Sequence, residues 1–484
     1  MSVDRREFLK RAGLTGGAVA AAAALPGCHT IFPPGFEPKA EPMLSFAASD
    51  APVDTVVVVM MENRSFDHYL GWLGSDEKYL ERGRRRYGKY FNIIADNQQT
   101  YTGPQGEPES TRHMIGWDYL SNPYRGCDQS DPNHGWTSGR TQRDLGFVAP
   151  GANEDLLPLG YYEKADLPFT AKLARHFTVF DDYHCSVLGP TYPNREYLHS
   201  GQSGGNKSNA FPTGPDGFDW PTIWDRLTAA NVPCRYYASD LPFLALFGSR
   251  TFPLLHNLDD YLTDCAAGTL PNVVMLDPAF SGEGQNDDHP LADVRAGQAF
   301  LRQAFKAFAE SPQWERGVFI VTYDEWGGFF DHVAPPHLPD DRANALDADD
   351  FSQAGFRVPT VMASPFARRG MVDDRTYDHT SILRFLEWRF LGAPPEGPGQ
   401  NGDSWFLTRR DRYAANIGAS LSSRLIDTDV RFDLDFPIDP ASPPCGAGVA
   451  GLNAMQRSVL EADDPAFDLG RWSTYLDTIG RPLR

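Results

Sequence analysis

The chain of 484 residues has only six cysteines, and none of them shows the spacing of a metal finger. A fold stapled by zinc or by a dense disulfide framework is thereby excluded. Basic residues are also scarce: 44 Lys and Arg stand against 64 Asp and Glu, a formal net charge of −20. Phosphate backbones are bound by Lys/Arg-rich faces, so this balance argues against nucleic acid as a partner. It argues equally against electrostatic docking to an anionic membrane, but not against a zwitterionic lipid or a soluble phosphate ester. Internal repeats are lacking as well. Apolar material is ample, since 41% of the residues are hydrophobic. At roughly 100–200 residues per domain, the length allows two or three domains or one large α/β domain with insertions.

The first 28 residues read as an address. "DRREFLK" places Arg5 and Arg6 ahead of Phe8 and Leu9, and the mild apolar stretch "AGLTGGAVAAAAAL" follows. This order resembles a twin-arginine export signal, and the stretch is too short and too weakly apolar to span a bilayer. "LPGC" ends it in the manner of a lipoprotein cleavage box, with Cys28 as the lipid acceptor and membrane attachment point, although Pro26 is unusual there. Residues 29–52 are Pro- and Ala-rich and read as a tether. Beyond Cys28 stand Cys127, Cys185, Cys234, Cys265 and Cys445. An exported chain can form disulfides, and this odd number leaves at least one thiol unpaired or paired elsewhere.

From residue 53 onward, apolar runs of strand length alternate with helix-length periodic segments. The runs at 55–60, 177–183, 234–239, 272–276, 317–323 and 358–364 predict strands. Segments 220–232, 292–310 and 378–392 predict helices; in the second, Val294, Phe300, Leu301, Phe305 and Phe308 recur at near-helical spacing. Near-continuous apolar strands separated by helices imply a mostly parallel central sheet with helices on both faces. Residues 78–165, rich in Gly, Pro and Asn, read as an insertion over the active face. Residues 393–484 read as an irregular C-terminal extension packed on the same domain.

In such sheets, ligands collect beyond the carboxyl ends of the strands. "ENRSFDH" places Glu62 and Asn63 just past one strand, and "TYDEWGG" places Asp324 and Glu325 just past another. Adjacent carboxylates repel, and a cation is the usual remedy. Oxygen donors suit a hard divalent ion such as Ca²⁺ or Mg²⁺, and Zn²⁺ accepts carboxylates too. In "GPTYPNREYL", Thr191 stands at a predicted helix start, where free N–H groups favour an anion. Its hydroxyl is either an N-cap or a nucleophile activated by that cation. His134, His289, His332 and His379 all lie in polar or helix-start contexts, where two or more could bind phosphate oxygens or protonate a leaving group.

"ENRSFDHYLG", "GPTYPNR", "YDEWGGFFDHVAPP", "GFRVPTVMASPFAR" and "YDHTSILRF" resemble, in order, the motifs of the bacterial phosphoesterase family. That family holds exported phospholipases C and acid phosphatases within the alkaline phosphatase superfamily. The resemblance spans about residues 53–392, the expected catalytic domain. It implies an alkaline phosphatase-like fold and a hydrolase that forms a covalent phospho-enzyme on Thr191. It assigns one divalent ion to Glu62, Asn63, Thr191, Asp324 and Glu325, and catalytic or phosphate-binding roles to His134 and His289. His332 and His379 are carried over by the same motifs. The implied substrate is a phospholipid of phosphatidylcholine type, or a phosphate monoester if the leaving-group pocket is of the phosphatase kind. Trp326 replaces a small polar residue of some relatives and is expected to reshape that pocket. The additional C-terminal β domains of the larger phospholipases C are not expected. "TYPNR" also has the layout of a sulfatase motif, but a threonine cannot become the formylglycine of those enzymes.

Replacing Arg5 and Arg6 by Lys is expected to hold the protein in the cytoplasm, because Lys keeps the charge without the planar fork that a receptor reads. Cell fractionation followed by activity assay checks this, and unchanged export in the double variant refutes the signal.

Overall fold

"TVVVVMM" and "GVFIVTY" form the two longest strands, and every residue of both is buried. Their β-branched side chains suit a pleated surface covered on both faces. A computed structural model shows the arrangement. It describes residues 43–77, 100–102, 108–153, 155–214, 216–282, 284–394, 405–422, 426–445 and 469–478. The export signal, Cys28 and residues 29–42 of the tether lie outside the described residues; in its described part Met43 is buried and its N–H donates to the Leu421 carbonyl.

Eight strands form the central sheet. In chain order they are β1 (Thr55–Met61), β2 (Thr178–Phe180), β3 (Cys234–Ala238), β4 (Leu255–Asn257), β5 (Val273–Asp277), β6 (Gly317–Tyr323), β7 (Val361–Ala363) and β8 (Met371–Asp373). Across the sheet the order is β8-β2-β7-β6-β1-β5-β3-β4. All pairings are parallel except the two made by β7, which runs against β6 and β2. The mostly parallel sheet expected from the apolar runs is therefore present, with one strand reversed. The short edge strands β4 and β8 had no apolar run to announce them.

Helices cover both faces. Adjacent residues of a strand point to opposite sides, and Tyr236 and Tyr237 on β3 show what each side meets. Tyr236 packs against Trp224 and His199, whereas Tyr237 packs against Tyr261. On the second of these faces, Phe305 of the Val294–Ala309 helix stacks edge-on over Phe319 of β6. That helix buries Val294, Phe300, Leu301, Phe305 and Phe308, as its periodicity predicts. Among the described residues, no helix is long and apolar enough to cross a membrane.

The segment read as a loop-rich insertion contains a ten-residue helix, Trp136–Leu145. The C-terminal extension sends an irregular strap along the Val294–Ala309 helix. Trp314 donates to the Thr428 carbonyl, Phe432 stacks on Phe305, and Ser442 bonds Asp293, the N-cap of that helix. The strap ends in a disulfide between Cys445 and Cys127, across a sequence separation of 318. Cys185, Cys234 and Cys265 are buried free thiols. The Leu469–Thr478 helix returns to the body, where Trp472 donates to the Tyr192 hydroxyl at 3.0 Å.

Because the disulfide closes so long a loop, its removal releases unfolded-state entropy. Cys445→Ser is expected to lower unfolding free energy by about 2–4 kcal/mol. Denaturant titration of parent and variant, with thiol counting to confirm the missing bond, measures the loss.

Candidate active site

Met61 on β1 pairs in register with Tyr323 on β6. The next residues, Glu62 and Asp324, therefore leave the sheet side by side, which is where an open α/β sheet binds ligands. β5 lies on the other side of β1 and ends in Asp277. Three neighbouring strand ends thus deliver carboxyl groups to one place.

The turn after β1 is tightly shaped. Asn63 adopts a left-handed backbone, with φ of 56°, and its N–H donates to Asp324 Oδ1 at 2.9 Å. Glu325 N–H donates to the same oxygen at 2.7 Å. Gly327 and Gly328 also have positive φ. A Cβ on Gly327 would collide with the Asn63 carbonyl, and one on Gly328 with the Asn133 carbonyl and Pro132. The paired glycines are thus what lets the Glu62–Asn63 turn and the loop carrying His134 close on the Asp324–Glu325 turn.

Thr191 is the first residue of the helix Thr191–Ser200, and Pro190 occupies the N-cap position. The Thr191 hydroxyl makes no cap; it lies 3.4 Å from Glu62 Oε2 and is buried. Arg195 comes one turn later on the same helix face. Its guanidinium bonds Glu62 Oε1 through Nε at 2.9 Å and Nη2 at 2.5 Å. It also reaches Asp277 Oδ1 at 3.1 Å, and Asp324 Oδ2 lies 3.5 Å from its Nε.

The charge count there is unequal. Glu62, Asp277 and Asp324 are buried carboxyl groups gathered around one guanidinium, and Glu325, next to Asp324, is buried as well. Burial first, and then the neighbouring Asp324 charge, push the Glu62 pKa well up. Burial likewise raises Asp277 to about 6, against the pull of Arg195. Asn63 Oδ1 and Asp324 Oδ2 are buried and accept no hydrogen bond from the described residues. Buried oxygens left without donors, beside surplus negative charge, are what a hard divalent cation would satisfy. The donor set of Glu62, Asn63, Thr191, Asp324 and Glu325 fits such an ion.

The four histidines divide. His134 Nδ1 bonds the Pro132 carbonyl at 2.7 Å; its Nε2 lies 3.4 Å from Asn63 Nδ2 and 4.0 Å from Glu325 Oε1. His289 stands edge-on to it with ring centres 6.2 Å apart, on a loop joined to the end of β1 by the Glu62 N–H to Asp287 carbonyl bond. These two are brought together with the oxygen cluster. His379 is fully buried between the Asp324 carbonyl at 2.7 Å and the Tyr183 hydroxyl at 3.2 Å, where it props the backbone of Asp324. His332 joins a different group: its Nδ1 meets Asp67 Oδ2 at 2.7 Å, and Arg357 bridges Asp67 and Asp331. Trp326, expected to reshape the leaving-group pocket, is fully buried instead. Its Nε1 holds Gln142, and its ring lies against Gly139, so it packs beneath the helix that follows His134.

Arg195 and Asp277 join the site without having been expected from the sequence. A signal existed for Arg195, since it stands four residues after Thr191 in a predicted helix. Asp277 carried no comparable local signal.

The phosphoesterase family profile matches residues 53–391. Non-specific phospholipase C6 of Arabidopsis thaliana is 31% identical, over 76% of this chain and 72% of its own. Non-hemolytic phospholipases C of Burkholderia pseudomallei and Pseudomonas aeruginosa are each 30% identical, over 97% and 98% of this chain respectively and 73% of their own. A protein of the alkaline phosphatase superfamily from Vibrio parahaemolyticus aligns with a TM-score of 0.34 at 11% identity, over 80% of this chain and 75% of that one.

Gly327→Ala is expected to cost more than the roughly 1–3 kcal/mol of left-handed strain alone, because the collision partner is backbone. Thermal melts should show the loss, and activity should fall with it. A variant with parental stability and turnover would disprove the close approach as a requirement.

Proposed function

The chain belongs to the phosphoesterase family and is a phosphoric ester hydrolase; from that premise we propose that it is an exported phospholipase C with Thr191 as nucleophile. Its substrate on this reading is a phospholipid of phosphatidylcholine type, cleaved to diacylglycerol and the phosphorylated head group. The names of the relatives support the lipid. One observation carries the chemistry: a buried threonine hydroxyl opens a helix and faces a glutamate within an excess of carboxyl groups.

The roles follow from the chain's own groups. Arg195 occupies Glu62 Oε1 and leaves Oε2 toward Thr191. Glu62 Oε2, the oxygen that faces the Thr191 hydroxyl, takes the hydroxyl proton as Thr191 Oγ attacks phosphorus. The N-terminus of the Thr191–Ser200 helix favours the phosphate oxygens. Diacylglycerol departs as the P–O bond to it breaks, its oxygen taking a proton from protonated His134 or His289, which regains one from the water that next attacks. Water then attacks the phosphothreonine and restores the hydroxyl. A divalent ion on Glu62, Asn63, Thr191, Asp324 and Glu325, whether Ca²⁺, Mg²⁺ or Zn²⁺, would lower the hydroxyl pKa and offset the carboxylate charge. His332 and His379 act on this reading as positioning residues, through Asp67 and the Asp324 backbone. The Cys127–Cys445 disulfide supports export, because such bonds persist in oxidising compartments. Cys28 would then anchor the chain by a lipid.

Incubation with phosphatidylcholine and, separately, with p-nitrophenyl phosphate tests the substrate. Release of diacylglycerol and phosphocholine supports the phospholipase; turnover of the monoester alone would make it an acid phosphatase.

Thr191→Ala is expected to lower turnover by several orders of magnitude while leaving fold and metal content intact. Thr191→Ser should retain substantial activity. Rapid-quench trapping and peptide mapping should find phosphate on Thr191, and a fully active Thr191→Ala protein would end the mechanism.

Asp324→Asn is expected to lose bound metal and activity together, and chelation of the parent should lower its thermal stability. Elemental analysis beside activity checks both; fully active protein without metal would exclude the ion.

A further inference from the structure

The helix that Thr191 opens has no cap of its own. Pro190 stands at the N-cap position and has no side-chain acceptor, and the Thr191 hydroxyl faces Glu62. The amides of the first turn still need partners, because the first N–H groups of a helix find none inside it. We propose that Asn209 is a positioning residue for the nucleophile: it caps the Thr191–Ser200 helix from outside, and the C-terminal helix holds it in that place.

The hydrogen bonds carry the inference. Asn209 Oδ1 accepts from the Tyr192 N–H at 2.9 Å, across a sequence separation of 17. Tyr192 is the second residue of the helix, and its N–H is one of the two that an N-cap side chain normally takes. Pro193, the third residue, has no N–H. Of the first three residues, Thr191 is therefore the one whose amide is neither lost to proline nor taken by Asn209. A cap supplied from another segment lets the helix begin without engaging the Thr191 hydroxyl.

A second asparagine fixes the approach to the helix. Asn194 is fully buried, and its Oδ1 accepts from the Val187 N–H at 2.9 Å. Its Nδ2 donates to the Gly189 and Pro190 carbonyls at 2.8 and 3.1 Å. The turn before Thr191 is thus tied to the helix, and the amide after it to Asn209. With the backbone held on both sides, the direction of the Thr191 side chain rests on χ1, which is stiff in a β-branched residue.

Asn209 is itself held by the far end of the chain. Arg471 of the Leu469–Thr478 helix donates to the Asn209 carbonyl at 3.4 Å. Two residues on, the Phe211 ring packs against Trp472 and Tyr475, with centres 5.5 Å from each, and edge-on to Tyr192 at 5.8 Å. Trp472 Nε1 closes the group on the Tyr192 hydroxyl. One helix therefore grips both partners of the Asn209–Tyr192 bond, and Asn209 is buried. The role rests on the reading of Thr191 as the nucleophile, since a misplacement of about 1 Å at a reacting group can cost about 100-fold in rate. Satisfying a buried donor for stability alone would demand no particular direction of the Thr191 side chain.

Rapid-quench kinetics on the full-length protein separate positioning from stability. Parent and Asn209→Ala are mixed with p-nitrophenyl phosphate or phosphatidylcholine labelled at phosphorus, and the rate and final amount of label on Thr191 are followed. Asn209→Ala is expected to slow labelling by about 10–100-fold with the final amount unchanged. Trp472→Phe keeps a ring and loses the indole N–H, so it should give a smaller loss of the same kind; it carries the test if melting curves show that Asn209→Ala fails to fold. Hydrogen exchange in the peptide containing Tyr192 should quicken in Asn209→Ala. A parental labelling rate in folded Asn209→Ala would overturn the proposal, even with less label, because that combination marks a partly unfolded population. Parental kinetics in Trp472→Phe would overturn the part given to the C-terminal helix. If the parent turns over neither ester, the phosphoester reading fails instead, and the exchange at Tyr192 still decides whether Asn209 caps the helix.

Discussion

Arg195 is the charge on which the site depends. Its guanidinium reaches carboxyl groups at the ends of β1, β5 and β6 and is itself carried on the helix that Thr191 opens. One buried side chain therefore ties three strand ends to the helix that carries Thr191. Desolvating so many charges is expensive, and a buried pair with one partner removed costs about 3–5 kcal/mol. The arrangement persists because the guanidinium's donors have several oxygens to meet, and because a second charge of the same sign would complete the balance.

That incomplete balance links stability to chemistry. Carboxyl groups outnumber the guanidinium, so a site without an ion holds negative charge in a poorly solvated place. Burial shifts the affected pKa values upward, as at Glu62 and Asp277. The same surplus of carboxyl groups is what would attract a cation. The binding energy of such an ion would appear as folding stability.

Around this centre, rigidity comes from backbone close approach and from cross-links between distant segments. Gly327 and Gly328 let three loops meet at van der Waals distance. His379 props the Asp324 carbonyl from the start of its own helix. The strap and disulfide tie the loop of Asp131 and His134 to a segment more than three hundred residues away in sequence. None of these elements touches a reacting atom, yet each limits how far a ligand atom can drift.

The sequence by itself determined the sheet's inner strands and the oxygen donors at their ends. Both are local properties: an apolar β-branched run declares a buried strand, and the residue after it is at the strand's carboxyl end wherever that strand lies. Glu62, Asn63, Asp324 and Glu325 were legible for that reason. Tertiary structure alone decided the register that sets Met61 beside Tyr323, the reversal of β7, and the short edge strands β4 and β8. It alone set His134 and His289 beside the cluster, placed His379 behind the Asp324 backbone and His332 in a separate group, paired Cys127 with Cys445, and brought Asp277 to the site. Each of those outcomes is a contact between residues far apart in sequence, and no local pattern encodes which distant partner a side chain will meet.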